Sequence, residues 1–97
     1  MTYELIIEPR VTREARKIYS HREKDRPGSG LRFFVALNDC YDRIVENPFC
    51  CQLRKGEFRH IMLRKLKYRL VYRVHGAFVY VVQVRHTSRK PSKRFGP

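Results

Sequence analysis

Residues 65 to 86, KLKYRLVYRVHGAFVYVVQVRH, constrain the fold more than any other stretch of the chain. Two runs of β-branched and aromatic residues flank Gly76, the pattern of paired strands joined by a tight turn. Arg69, Arg73 and Arg85 interrupt these runs at even spacing. One face of the pair must therefore carry positive charge while the other builds a core. The loop decides which residues share a face. A two-residue loop at His75-Gly76 sets Leu70 and Tyr72 beside Val79 and Val81, and leaves Arg69 and Arg73 among Phe78, Tyr80 and Val82. A three-residue loop ending at Gly76, with the glycine left-handed, shifts the parity by one. Leu70, Tyr72, Phe78, Tyr80 and Val82 then make one apolar face. Arg69, Arg73, Gln83 and Arg85 line the other, over a floor of Val71, Val79 and Val81. This cleaner segregation favours the three-residue loop.

Upstream, residues 3 to 8 (YELIIE) read as a short strand ended by Pro9. Val11, Ala15, Ile18 and Tyr19 form the stripe of an amphipathic helix whose other face carries Arg13, Arg16, Lys17 and His21. The segment RPGSG, residues 26 to 30, breaks that helix and offers Ser29 as the next N-cap. Leu31, Phe34, Leu37, Tyr41 and Ile44 continue the apolar stripe until Asn47-Pro48 stops it. The short connection predicts an antiparallel helical hairpin. Strands are expected near 58–64, 67–74 and 77–86. The order β-α-α-β-β-β predicts an α+β fold, an antiparallel-rich sheet with the N-terminal helical hairpin on one face. Residues 1–90 should form a single domain, followed by a basic tail at 91–97.

Charge narrows the function. Twenty-two Lys and Arg against nine Asp and Glu give a net charge of +13, which calls for an anionic partner such as nucleic acid or an acidic protein. No apolar run reaches the ~20 residues of a membrane span and MTYELIIEPR has no signal-peptide core, so a cytoplasmic protein is expected. Three cysteines, an odd number, suit reduced thiols better than a disulfide framework. Cys40, Cys50, Cys51 and His60 match no familiar zinc spacing, which leaves buried thiols acting as small hydrophobes. No metal or cofactor is expected.

Three segments in order, RPGSGLRFFVALNDCYDRIVENP, LRKLKYRLVYRVHG and VVQVRHTSRKP, resemble the RelE/ParE superfamily of bacterial type II toxins, nearer the ParE branch. The likeness runs from about residue 3 to 90. It implies the same β-α-α-β-β-β fold and an acidic, partly disordered cognate antitoxin that folds onto the basic toxin. It leaves two targets. ParE-like members are associated with inhibiting DNA gyrase, and RelE-like members cleave mRNA in the ribosome.

RNA cleavage needs a base for the 2′-hydroxyl, an acid for the leaving oxygen and cations for the phosphate. The resemblance places Arg69, in YRLVY, at a phosphate-side position of the nucleases, and Arg85 and Arg89 in the C-terminal segment where those enzymes keep further catalytic groups. His60 and His86 are candidates for proton transfer, although His86 falls on the core-side parity. Arg64, Arg73 and Gln83 are further candidates for binding, and Phe95 for stacking on a base. The ParE branch often has Trp near the C-terminus and this chain has none. RPGSG and the second helix match the ParE branch best, so gyrase inhibition is preferred, with ribonuclease second. A passive nucleic-acid binder or inactive remnant is the third reading; no helix-turn-helix, zinc knuckle or RNP-type motif supplies specific readout.

Overall fold

A computed structural model describes residues 3–88. Its elements are β1 (Glu4–Ile7), α1 (Pro9–Asp25), α2 (Ser29–Glu46), β2 (Leu53–Lys55), β3 (Phe58–Met62), β4 (Tyr68–His75) and β5 (Phe78–His86). The strands form one sheet in the order β1-β5-β4-β3-β2. β1 runs parallel to β5 at one edge, and every other pair is antiparallel. The helical hairpin covers one face, which is the expected α+β architecture. β2, three exposed residues, is an added edge strand that the sequence reading did not include. Arg89 and Phe95 lie outside the described residues.

Pro9 occupies the first turn of α1, where its missing N–H costs nothing. Between the helices, Ser29 is not the cap. It is the first residue of α2, and Gly28 precedes it with φ of 89°. The Glu23 carboxylate, one helix earlier, accepts the N–H groups of Gly28 (2.8 Å) and Gly30 (2.9 Å). An acidic side chain from α1 thus satisfies the start of α2 and complements its dipole. Gly30 is required there, because an added Cβ would lie 2.8 Å from the Tyr19 carbonyl oxygen.

Phe33, Ala36, Leu37, Cys40 and Ile44 of α2 are buried, a stripe rotated from the expected one. Leu31 is 61% exposed. Phe34 stacks on Tyr19 of α1 at 4.6 Å, whereas Phe33 meets Tyr68 of the sheet at 5.0 Å. The apolar run FFVAL offers several faces, and packing against both α1 and the sheet selects Phe33 for the core. That core is completed by Val11, Ala15, Ile61, Leu63, Leu70, Tyr72, Val79, Val81 and Val84.

The β4–β5 hairpin corrects the expected loop. His75 pairs with Phe78, so the turn is the two residues Gly76 and Ala77, with Gly76 at φ of 59°. Near the turn, Tyr72, Val79 and Val81 face the helices, and Arg73, Phe78 and Tyr80 face away. The parity changes within the strand instead of at the loop. Tyr72 pairs with Val81 but Val71 pairs with Gln83, leaving Val82 as a bulge. Val82 packs with Val71 on the outer face, beside Phe58 and Tyr80. The expected segregation of Arg69, Arg73, Gln83 and Arg85 on the outer face is present. The expected placement of Phe78, Tyr80 and Val82 in the core, and of Val79 and Val81 in the outer floor, is not.

Candidate functional site

The strand registers put three cross-strand rows on the sheet face opposite the helices. Met62, Arg69 and Arg85 form the first, and His60, Val71 and Gln83 the second. Phe58, Arg73 and Tyr80 form the third, with Ile6 of β1 beside Tyr80. Charge lies at one end of the face and aromatic surface at the other.

Arg69 and Arg85 are directly opposed across β4 and β5, and Arg85 is only 4% exposed. Like charges so placed are destabilising on their own. Burial, then the charges of Arg85 and Arg54, pull the Arg69 guanidinium below its ordinary value. A guanidinium stays protonated even so, and charge-assisted hydrogen bonds from two neighbouring guanidiniums are the kind of contact an anion takes. Arg69 Nη1 lies 3.3 Å from His60 Nδ1. A guanidinium can only donate, so His60 Nδ1 accepts and its proton sits on Nε2. His60 is itself buried. Gln83 Oε1 is buried without a hydrogen bond from the described residues, an acceptor beside the two arginines. In the third row, Arg73 lies over the Tyr80 ring at 4.4 Å and 3.8 Å from a Glu57 carboxylate oxygen.

Arg69, Arg85, His60, Gln83 and Arg73 are therefore brought to one face. Arg64 and His86 are not. Arg64 sits in the β3–β4 connection and pairs with Asp39 of α2 at 3.4 Å. His86 pairs with Tyr68 on the helix side, their rings edge to face at 5.1 Å. Its Nδ1 accepts the Ser88 N–H at 3.1 Å, so its proton is on Nε2. There it lines a cleft of about 420 Å³ with Glu14, Lys17, Ile18, His21 and Tyr68. Arg54, whose charge reaches Arg69, was missed in the sequence because its three-residue strand has no periodicity to read.

Cys40 is buried as expected, but Cys50 is exposed and Cys51 only half-buried. Among the described residues, no three His, Cys, Asp or Glu side chains are grouped to hold a metal ion. Among the described residues, no helix is long and apolar enough to cross a membrane.

The chain was compared with known proteins. No curated protein matches it significantly. Solved structures do. A mutant of the E. coli toxin RelE in the free state is 27% identical with a TM-score of 0.64, over 91% of this chain and 86% of that one. A chain of the intact E. coli RelBE toxin–antitoxin complex is 28% identical with a TM-score of 0.65, over 90% and 99%. A chain of the chromosomal ParDE system from P. aeruginosa, 14% identical with a TM-score of 0.69 over 90% and 98%, shares the fold. The family model described as the ParE toxin of the type II toxin–antitoxin system parDE matches residues 5–91. With that match over nearly its whole length and a RelE/ParE fold beneath it, the chain belongs to the ParE toxin family of type II toxin–antitoxin systems.

Proposed function

We propose that this toxin arrests growth by inhibiting DNA gyrase and that a cognate acidic antitoxin neutralises it. The observation that carries the gyrase reading is the division of the candidate nuclease residues. A ribonuclease must bring base, acid and phosphate-binding cations to a single phosphate. Here Arg69 and Arg85 lie on the outer face, while His86 lies on the helix side with the sheet between them. The ParE family match favours the same target. The antitoxin reading draws on the net charge of +13 and on the E. coli relative solved in a RelBE toxin–antitoxin complex. Such a target places the protein in the cytoplasm.

Expression of the chain alone in a bacterial host, following growth, DNA supercoiling and transcript integrity, tests this. Arrest with broken or relaxed DNA and intact transcripts is the expected result; arrest with transcripts cut within codons sinks it. Co-expression with the neighbouring acidic protein should relieve the arrest, and the two should co-purify.

One observation favours the ribonuclease reading: the contact between His60 and Arg69, which sets an imidazole beside the paired arginines. On that reading, Arg69→Ala or Arg85→Ala abolishes RNA cleavage and leaves a folded protein. Arg89 and Phe95 remain candidates in this scheme for catalysis and base stacking.

A further inference from the structure

The connection between α2 and β2 carries two adjacent thiols to which the proposed function assigns no role. Cys50 Sγ and Cys51 Sγ are 3.6 Å apart. A disulfide needs about 2.05 Å. A soft atom bonded to both sulfurs at about 2.3 Å, the length of a zinc–thiolate bond, spans 3.6 Å at an angle of roughly 103°. The two reduced thiols are in hydrogen-bond contact, and the same spacing admits a bridging atom without moving either sulfur. We propose that Cys50 and Cys51 form a two-thiolate site for a soft, thiophilic centre of the class of monosubstituted trivalent arsenicals.

The fold holds both sides of the pair in place. The Tyr72 hydroxyl, from the central strand β4, donates to the Pro48 carbonyl at 2.8 Å and lies beside both thiols. The Arg59 guanidinium of β3 donates to the Cys51 carbonyl and lies over the Phe49 ring at 5.1 Å. Cys50 N–H donates to the Asn47 carbonyl at 3.1 Å. Three contacts from the sheet and one within the turn order the backbone of this six-residue connection (47–52), which lowers the entropy cost of bringing the sulfurs together.

The third thiol is engaged elsewhere. Cys40 Sγ takes a hydrogen bond from Arg43 Nη2 at 3.3 Å and lies 3.5 Å from the Met62 carbonyl oxygen. With no third ligand grouped among the described residues, the site suits a centre that needs only two thiolates, unlike four-coordinate zinc. The reaction balances without redox change. An arsonous acid, R–As(OH)₂, exchanges both hydroxyls for the two sulfurs, two As–S bonds replace two As–O bonds, and the thiol protons leave in two waters.

The test is titration of the full reduced chain with phenylarsine oxide, read by intact mass and thiol count. One equivalent should bind, consume two of the three thiols, resist excess monothiol and release to a dithiol. Cys50→Ser and Cys51→Ser should each lose the monothiol-resistant adduct, and Cys40→Ser should keep it. Circular dichroism confirms that each variant is folded. Native protein should bind at least about tenfold tighter than the chain in urea. Equal affinity in both states, an adduct stripped by monothiol, or retention of the adduct in either Ser variant of the pair overturns the proposal. So does loss of two mass units before any arsenical is added, because the pair would then be closing a disulfide.

Discussion

Arg69 and Arg85 show how a residue-scale choice marks the outer face. A strand position opposite an arginine is more stable with almost any other side chain, yet β4 and β5 oppose two of them, one nearly buried. On the helix side, as at Arg69, burial is the first cause of altered titration. Desolvation, with a smaller push from Cys40, raises the Tyr41 phenol to about 12. The folded state therefore keeps this proton after the unfolded chain, with its phenol near the ordinary value of about 10, has lost it. Stability from this group is complete below about pH 10 and is lost as pH rises towards about 12. Tyr41→Phe keeps the ring and removes the titration, so the fall in Tm across that window should be shallower than in the parent. An unchanged slope would assign the alkaline loss to other groups. Cys40, raised by burial to about 11, contributes in the same direction from a lower starting pH.

At the scale of elements, two features set how the layers meet. The hairpin of α1 and α2 closes because Gly30 lets the second helix approach the Tyr19 backbone. Gly30→Ala forces backbone apart from backbone and should destabilise by about 1–3 kcal/mol in urea unfolding. The other feature is the Val82 bulge. β1 pairs with β5 only as far as Ile7 and Val81, and the extra residue follows immediately. Without it, either Val79 and Val81 or Val84 would have to leave the core, because one residue of shift exchanges the faces. Deletion of Val82 should therefore prevent cooperative folding. Val82→Ala, which keeps the count, should cost only about 2 kcal/mol. Similar losses for the two changes would remove the bulge from this role.

For the whole molecule, charge is the governing quantity. A net +13 on 97 residues opposes compaction through self-repulsion. Raising salt from about 0.01 M to 0.15 M shortens the Debye length from about 30 Å to 8 Å. Tm should rise over that interval, and a polyanion that binds the folded state should raise it further at low salt. A flat salt response would mean that local ion pairs such as Arg43–Asp39, at 3.1 Å, already neutralise the repulsion.

The kinds and order of the main elements were legible in the chain because they depend on neighbours in sequence. The stripe Val11, Ala15, Ile18 marks a helix, Asn47-Pro48 ends one, and the runs around Gly76 alternate as strands do. Arg69 and Arg73 of β4 were legible for the same reason, whereas Arg85 lies beyond Val82 and reaches the outer face only through the bulge. Three matters depended on contacts between distant segments. Phe33 displaced Phe34 from the core because Tyr68, thirty-five positions away, offered it a partner. Glu23, not Ser29, capped α2 because the hairpin folded it back. The parity of β5 was switched at Val82, where the parallel pairing with β1 ends, and no local pattern records that event. Periodicity encodes which face of an element is apolar. Where a second element stops, and which of several apolar side chains it meets, is set only when the layers pack.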